Sequence, residues 1–206
     1  GLSRPSRVVI SVVAASLQRI TGQRDVTLAL PVAARSAPEL REVPGMASNV
    51  LPLRLTVRPS TTPAELISLV SQEIRDLLGH DRYRGEHIAR DLGLPGGFRE
   101  LVGPTVNMIG FTRSLRFGDI EAHVHHLWSG PINDLAVTVL EQPGGAPLIN
   151  LEADALLCSD DDLAGHADRL RAILNAAPGR PIGTIELLPA SRRAHVDLYG
   201  DRKSVV

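Results

Sequence analysis

Between Pro5 and Gly22 the chain carries Val8, Val9, Ile10, Val12, Val13, Ala14, Ala15, Leu17 and Ile20, enough to make a helix there apolar on nearly all sides. A helix apolar on nearly all sides has to be covered on nearly all sides, and Gly22 is its natural stop. The fold must therefore bury this helix. Val26, Leu28 and Leu30 then alternate with Thr27 and Ala29, which predicts a strand ending at Pro31. Residues 32–48, Ala-rich with prolines and charges, read as a long loop or a short helix within one, and long ordered loops are often functional.

Val50 to Val57 alternates again, giving a second strand. Thr62-Pro63 opens a helix with a cap and a first-turn proline, and Leu66, Val70, Ile74 and Leu77 fall on one face before Gly79. A short helix is expected from Gly85 to Leu92. Strand-like runs follow at 105–112, 119–127, 134–141 and 147–154, with Gly144-Gly145 turning between the last two. Ser159 caps a final helix whose first turn holds Asp160, Asp161 and Asp162, with Leu163, Ala167, Leu170 and Leu174 as its apolar stripe. A short strand is expected over Ile182 to Leu187, and residues 190–206 read as a linker or tail. Helices alternate with strands first, then strands accumulate. That pattern is α/β or α+β with a mixed sheet flanked by helices.

Apolar residues make up 43% of the 206, enough for a sizeable core, and the formal charge of −1 gives no reason to bind nucleic acid or a membrane surface. No run approaches the roughly 18 apolar residues of a membrane span. Cys158 is the single cysteine, which excludes a disulfide within the chain and a multi-cysteine zinc site, and fits a cytoplasmic protein. Its place just before a helix N-terminus could lower its pKa, against the plainer reading of a buried thiol. His123 and His125 share a strand face and His126 takes the other, but no third metal ligand stands nearby, so packing and hydrogen bonding is the favoured reading. The acidic run 160–162 lacks the alternating spacing of a calcium loop and reads as capping. There is no phosphate-binding glycine loop and no nucleophile elbow. The chain begins at Gly1 and enters a helical pattern at once, which reads as a piece of something longer.

Several segments, in order, resemble one family. Leu28 to Arg35 resembles its G-x-P-x-x-x-R turn. Val43 to Arg54 resembles its G-x-F-V-N-T-L-P-L-R motif, with Gly45, Asn49, Pro52, Leu53 and Arg54 matching and Val50 replacing the usual Thr. His80 to Glu86 resembles H-Q-x-x-P-F-E and keeps the His and the Glu. Gly103 to Asn107 and Ser129 to Asp134 are similar to the G-P-x-x-N and x-G-P-x-N-D of siderophore-type and starter members. The family is the condensation domains of nonribosomal peptide synthetases, and the likeness, over residues 3–190, is to the C-terminal half.

The resemblance implies a chloramphenicol-acetyltransferase-like lobe, residues 1–189, as half of a pseudo-dimer. Residues 190–206 would be the linker toward a following adenylation domain. It implies amide formation in a tunnel between the lobes, as in antibiotic or siderophore biosynthesis. Donor and acceptor would arrive on the phosphopantetheine arms of carrier proteins, with no cofactor and no metal bound by this chain. The partners implied are the N-terminal lobe, two carrier proteins and the adenylation domain. The family's H-H-x-x-x-D-G signature is absent. His125-His126 is followed by Leu127, Trp128, Ser129, Gly130 and Pro131, so no catalytic role is assigned here and the isolated chain is expected to be inactive. Asn107, Ser129, Gly130 and Asn133 are the tunnel candidates. Arg35, Gly45, Asn49, Arg54, His80, Glu86 and Asp134 are the structural ones. Trp128 is a candidate lobe-interface anchor, and Tyr83 and Glu86 read as packing and helix-start residues. Residues 33–48 would floor the tunnel, and 113–133 would latch onto the other lobe. A non-catalytic recruitment module and a free-standing acyltransferase remain as alternatives.

Overall fold

A computed structural model describes residues 3–35, 38–40, 42–45, 47–110, 115–122, 132, 134–141 and 146–187. Helix α1, Arg4–Thr21, is capped at both ends. Ser3 Oγ accepts from Ser6 N, and Gly22 closes the helix at φ +71°, its N–H donating to Gln18 O at 2.8 Å. Strands β1 (Asp25–Val32) and β2 (Asn49–Thr56) follow, joined by a loop that holds a 3₁₀ turn at Pro38–Leu40. Then come α2 (Pro63–Leu78), α3 (Gly85–Asp91), a 3₁₀ turn at Gly97–Glu100, and β3 (Thr105–Ile109). A small hairpin, β4 (Leu115–Phe117) and β5 (Ile120–Ala122), precedes β6 (Leu135–Leu140), β7 (Leu148–Ala153) and α4 (Asp160–Leu174).

Five strands make one sheet in the order β2-β1-β3-β6-β7. The β1–β2 and β6–β7 pairs are antiparallel. The β1–β3 and β3–β6 pairs are parallel, so the sheet is mixed. α1 lies between α2 and α4 on one face of this sheet. Leu28 and Leu30 of β1, Leu53 and Leu55 of β2, Val106 of β3, and Val137 and Val139 of β6 meet Ile10, Val13 and Val70 in a single core. This is why α1 is apolar on nearly all sides: sheet lies beneath it and helices flank it. Burying each large aliphatic side chain contributes roughly 1.5–3 kcal/mol. Glu141, just past β6, takes hydrogen bonds from Ser3 Oγ and from Ser6 Oγ (3.1 Å). A carboxylate thus sits at the N-terminus of α1, where the helix dipole favours it, and ties that end to the sheet.

The capping boxes of α2 (Thr62 with Glu65) and α4 (Ser159 with Asp162) bear out the helix starts and the capping role of the acidic run. Four expectations need correction. β1 continues through Pro31 to Val32. Ala29 N donates to Pro104 O, so the missing N–H of Pro31, two residues on, faces the β3 side, where Ala29 opposite Thr105 is the only registered pair; no ladder bond is lost. Residues 182–187 form no strand. Ile182 and Ile185 are buried, but the backbone turns as 3₁₀ at Ile182–Thr184. Ile182 N donates to Thr61 O, and Arg19 Nη1 holds the carbonyls of Ile182 (2.6 Å) and Ile185 (3.1 Å). On α4, Leu170 and Ile173 are the buried large residues and Leu174 is 39% exposed, because the helix turns its Ile173 side onto α1. Residues 115–117, assigned to no strand from the sequence, pair with 120–122 around Gly118-Asp119. The turn at Gly144-Gly145 and the tail from residue 188 lie outside the described residues.

Candidate functional site

Period-2 alternation gives each strand a second face. With Val106, Val137 and Val139 turned to the helices, Thr105, Asn107, Ala136 and Thr138 stand on the other side, where no helix of the core layer packs. Thr105 lies opposite Ala136, and Asn107 opposite Thr138. These four residues, with Arg99, Val102, Asp134 and Asp154, line a cleft of about 630 Å³. Asp134 and Asp154 are tied together where β6 begins and β7 ends, Asp154 N donating to Asp134 O at 3.2 Å. Thr138 is buried although polar, and Asn107 is half-buried. The Asn107 carboxamide has both a donor and an acceptor to offer a ligand in the cleft.

A second cleft of about 470 Å³ lies beside the first, over β1 and β2, lined by Asn49, Val50, Arg84, Glu86 and Phe98 among others. Arg99, Val102 and Thr105 line both. The open sheet face therefore carries one trough crossing from the α3 side to the β7 side.

Asn49 positions the α3 end of that trough. Its Nδ2 donates to Asp81 O and Tyr83 O, both at 2.9 Å, and its Oδ1 accepts from Val50 N (2.9 Å) and Gly85 N (3.3 Å). With the side chain buried, this one amide fixes the turn that launches α3 against β2. Gly85 fits only because it lacks a side chain: a Cβ there would stand 2.8 Å from Val50 O and 3.0 Å from the Phe98 ring. Tyr83 Oη donates to Asp91 Oδ2, and the Tyr83 ring meets His87 edge-on at 5.9 Å. The Asp91 carboxylate holds the Tyr83 phenol above its usual pKa.

Arg35 and Gly45 act on the loop between β1 and β2. Arg35 Nη1 donates to Val43 O (2.8 Å) and Nη2 to Gly45 O (2.6 Å), while Gly45 takes φ +142°, a conformation that L side chains rarely adopt. Arg54 is a surface residue paired with Asp25 at 3.0 Å, and its hydrogen bond holds that carboxyl below the usual range. His80 is exposed and lines neither cleft. Among the candidates, then, Asn107 and Asp134 share one cleft, and Asn49 and Glu86 the other. Arg35, Gly45, Arg54 and His80 stand apart. Ser129, Gly130, Asn133, Trp128 and the three histidines at 123, 125 and 126 lie outside the described residues. Thr138, Asp154 and Arg99 were not anticipated. A threonine between Val137 and Val139 is a readable signal, whereas Arg99 sits in a four-residue 3₁₀ turn and Asp154 just past β7, with no periodicity to mark them.

Cys158 is half-buried, with Sγ 3.6 Å from Ser159 O. Burial first, then Asp162, Asp134 and Asp160, push its thiol above the ordinary range, which goes against the lowered-pKa alternative and fits the plainer reading of a buried thiol. Burial, then Arg169, pushes the His166 imidazole down, with Asp134 and Asp162 pulling the other way. No group of three metal-ligating side chains occurs among the described residues, and no helix among them is long and apolar enough to cross a membrane.

Comparison with known proteins fits this geometry. The condensation-domain family model matches residues 5–195. The isonitrile lipopeptide synthase of Streptomyces coeruleorubidus is 40% identical over 184 residues, covering 87% of this chain and 12% of that protein. The dimodular nonribosomal peptide synthase of Bacillus subtilis (strain 168) is 38% identical over 185 residues, 88% of this chain and 8% of that protein. A crystallised variant of the starter condensation domain of rhizomide synthetase, in complex with C8-CoA and Leu-SNAC, superposes with a TM-score of 0.82 at 39% identity, over 90% of this chain and 43% of that one. The first condensation domain of the CDA synthetase does so with a TM-score of 0.77 at 37% identity, over 89% and 42%. The chain thus spans about a tenth of the synthetases it matches and somewhat over two fifths of each solved domain. Sequence and fold agree along nearly all of its length, and it belongs to the condensation-domain family.

Proposed function

We propose that this chain is the C-terminal lobe of a two-lobed condensation domain of a nonribosomal peptide synthetase, its open sheet face forming one wall of the tunnel where the amide is made. The observation that carries this is the trough itself. It runs across the sheet face that α1, α2 and α4 leave uncovered, in a chain matching less than half of each solved domain. A face of that kind is half a site.

In the reaction proposed, the acceptor amine attacks the carbonyl of a carrier-bound acyl thioester. The C–N bond forms, the C–S bond breaks, and the thiol leaves on the donor arm with a proton. Bringing the two thioesters together in one enclosed site supplies much of the acceleration. Asn107 is the positioning group: its amide N–H donates to an acceptor carbonyl, or its oxygen receives the amine N–H. The base is assigned to the other lobe, since H-H-x-x-x-D-G is absent here. The loop held by Arg35 and Gly45 serves as floor, and residues 113–133 as latch. Carrier proteins bring both substrates on phosphopantetheine arms, and the adenylation domain follows the linker at 190–206. The starter domain of rhizomide synthetase among the neighbours favours a capping acyl donor.

The test is Asn107→Ala in the complete two-lobe domain, with carrier-bound donor and acceptor. A lost positioning bond predicts kcat/KM lower by about tenfold or more, against an unchanged thermal midpoint. Unchanged kinetics would remove Asn107 from the site. An upstream region carrying a degraded H-H-x-x-x-D-G would move the assignment to a recruitment module.

A further inference from the structure

A recess separate from the trough lies in the helical layer. It is a groove of about 320 Å³, and no residue is common to its lining and that of either trough cleft. Its floor is one row of α1. Arg4, Val8, Ser11 and Ala15 follow one another at spacings of four, three and four, and so share a face. At 1.5 Å per residue that row is about 16 Å long. The Ser11 hydroxyl donates to Arg7 O at 2.8 Å, which spends its proton inside the helix. Pro63 and Ile67 of α2 form one wall, and Ile173 and Leu174 of α4 the other. The segment after α4 closes the end beside Ala15, where Ala176, Pro178 and Ile182 complete the lining. That end is tied down by backbone: Ala64 N donates to Pro178 O at 3.2 Å and Ile182 N to Thr61 O at 2.9 Å. Arg19, one turn beyond Ala15, holds the Ile182 carbonyl. Val8 and Ile67 are only half-buried and Leu174 is exposed, so three aliphatic side chains are presented to the groove as well as to the core.

Among the described residues of this lining, Arg4 alone is charged. It stands at the end away from Ile182, and its guanidinium has no hydrogen-bond or ion-pair partner among the described residues. Glu65, the acid of the first turn of α2, is taken up by Thr62, whose N–H (2.8 Å) and hydroxyl (2.9 Å) both donate to it. We infer that the groove binds a free medium-chain fatty acid, its alkyl chain lying over Val8, Ile67 and Leu174 toward Ile182 and its carboxylate meeting Arg4. Apolar walls with one cation at the end match an amphiphile of the same pattern. Burial of the chain supplies affinity in proportion to the area covered, and the arginine fork, which pairs bidentately with a carboxylate, sets the direction. A more polar ligand would bury groups that this lining cannot pair. The volume is at the small end of the roughly 300–1,000 Å³ of ligand pockets, which suits octanoate better than a long-chain acid. The site takes no residue from the trough, so this inference stands apart from the reaction proposed above.

Calorimetry on the complete two-lobe domain, with octanoate and with octanol as its uncharged counterpart, tests this without any carrier protein. Octanoate is expected to bind one to one with a Kd on the order of 0.1 mM. Arg4→Gln weakens octanoate by about three- to tenfold and leaves octanol unchanged, since only the carboxylate uses that residue. Ala64→Phe, at an exposed position beside the closed end, fills the groove with a ring and weakens both ligands by about tenfold or more. Octanoate also raises the thermal midpoint of the wild type as its concentration increases, and that rise is lost in Ala64→Phe. Octanoate binding within twofold of wild type in either variant overturns the assignment. So does an equal loss of octanol in Arg4→Gln, which would make Arg4 a structural residue. A wild type without saturable octanoate binding overturns it as well, and gives the groove to another protein segment as its cover.

Discussion

Replacing Asn49 with alanine removes a buried amide whose four partners are all backbone atoms. The side chain is 7% exposed, so water cannot replace those bonds without opening the structure. The carbonyls of Asp81 and Tyr83 lose short bonds at about 1 kcal/mol each, with a desolvation penalty above that for groups left buried and unpaired. Val50 N loses a 2.9 Å bond and Gly85 N a weaker one at 3.3 Å. Together these come to about 3–4 kcal/mol, a large part of the roughly 5–15 kcal/mol that holds a domain folded. At about 2–4 °C per kcal/mol for a protein of this size, the thermal midpoint should fall by roughly 10 °C. Urea unfolding of the two-lobe domain measures the energy, and amide hydrogen exchange shows whether protection is lost first around residues 81–85. Asn49→Asp is the sharper probe. It keeps the acceptor for Val50 N and Gly85 N but sets a second oxygen against two carbonyl oxygens, so it should destabilise more than alanine. An alanine variant within about 0.5 kcal/mol of wild type, or an aspartate variant as stable as wild type, would mean that Asn49 does not hold this turn.

Three further outcomes follow from the same structure. Gly85→Ala sets a Cβ 2.8 Å from Val50 O, a backbone atom of β2, and should destabilise by about 1–3 kcal/mol, measured in the same urea titration. His166, whose imidazole burial pushes below the usual range, binds a proton more readily unfolded than folded. Stability should therefore fall as pH drops below about 6.5, and His166→Gln should flatten that part of the pH–stability curve; an unchanged slope counts against the burial. Cys158, pushed above the ordinary thiol range, should react with iodoacetamide at neutral pH more slowly than free cysteine, and faster reaction would contradict the acidic environment assigned to it.

The helices were readable because their signals are local. Gly22, Thr62, Ser159 and Asp162 each act within a few residues, and the apolar pattern of α1 implied burial on several sides before any neighbour was known. The trough was not readable in that way. Alternation in β3 and β6 shows that Asn107 and Thr138 lie on the face opposite Val106 and Val137, but not that the core helices leave this face open. That depends on α1, α2 and α4 all packing on one side. Asn49 and Arg35 were singled out by resemblance alone, and their partners at 81–85 and 43–45 show what the motifs do: each holds a loop by its backbone carbonyls. Residues 182–187 misled because the burial of Ile182 and Ile185 imitates a strand, while their backbone bonds go to Thr61, Pro59 and Arg19, contacts without any local signature. Leu174 misled for a related reason, since one stripe on α4 does not say how the helix is rotated against α1.

This chain is proposed as half of an amide-forming site. Intact-protein mass spectrometry tests it on a reaction of donor- and acceptor-loaded carrier proteins with this chain and the N-terminal half supplied as a separate polypeptide. Product on the acceptor carrier only when both halves are present is the predicted result. Product from this chain alone would contradict the account and return His125 and His126 to the centre of the chemistry, and no product from two halves shown to associate would contradict it in favour of a recruitment module.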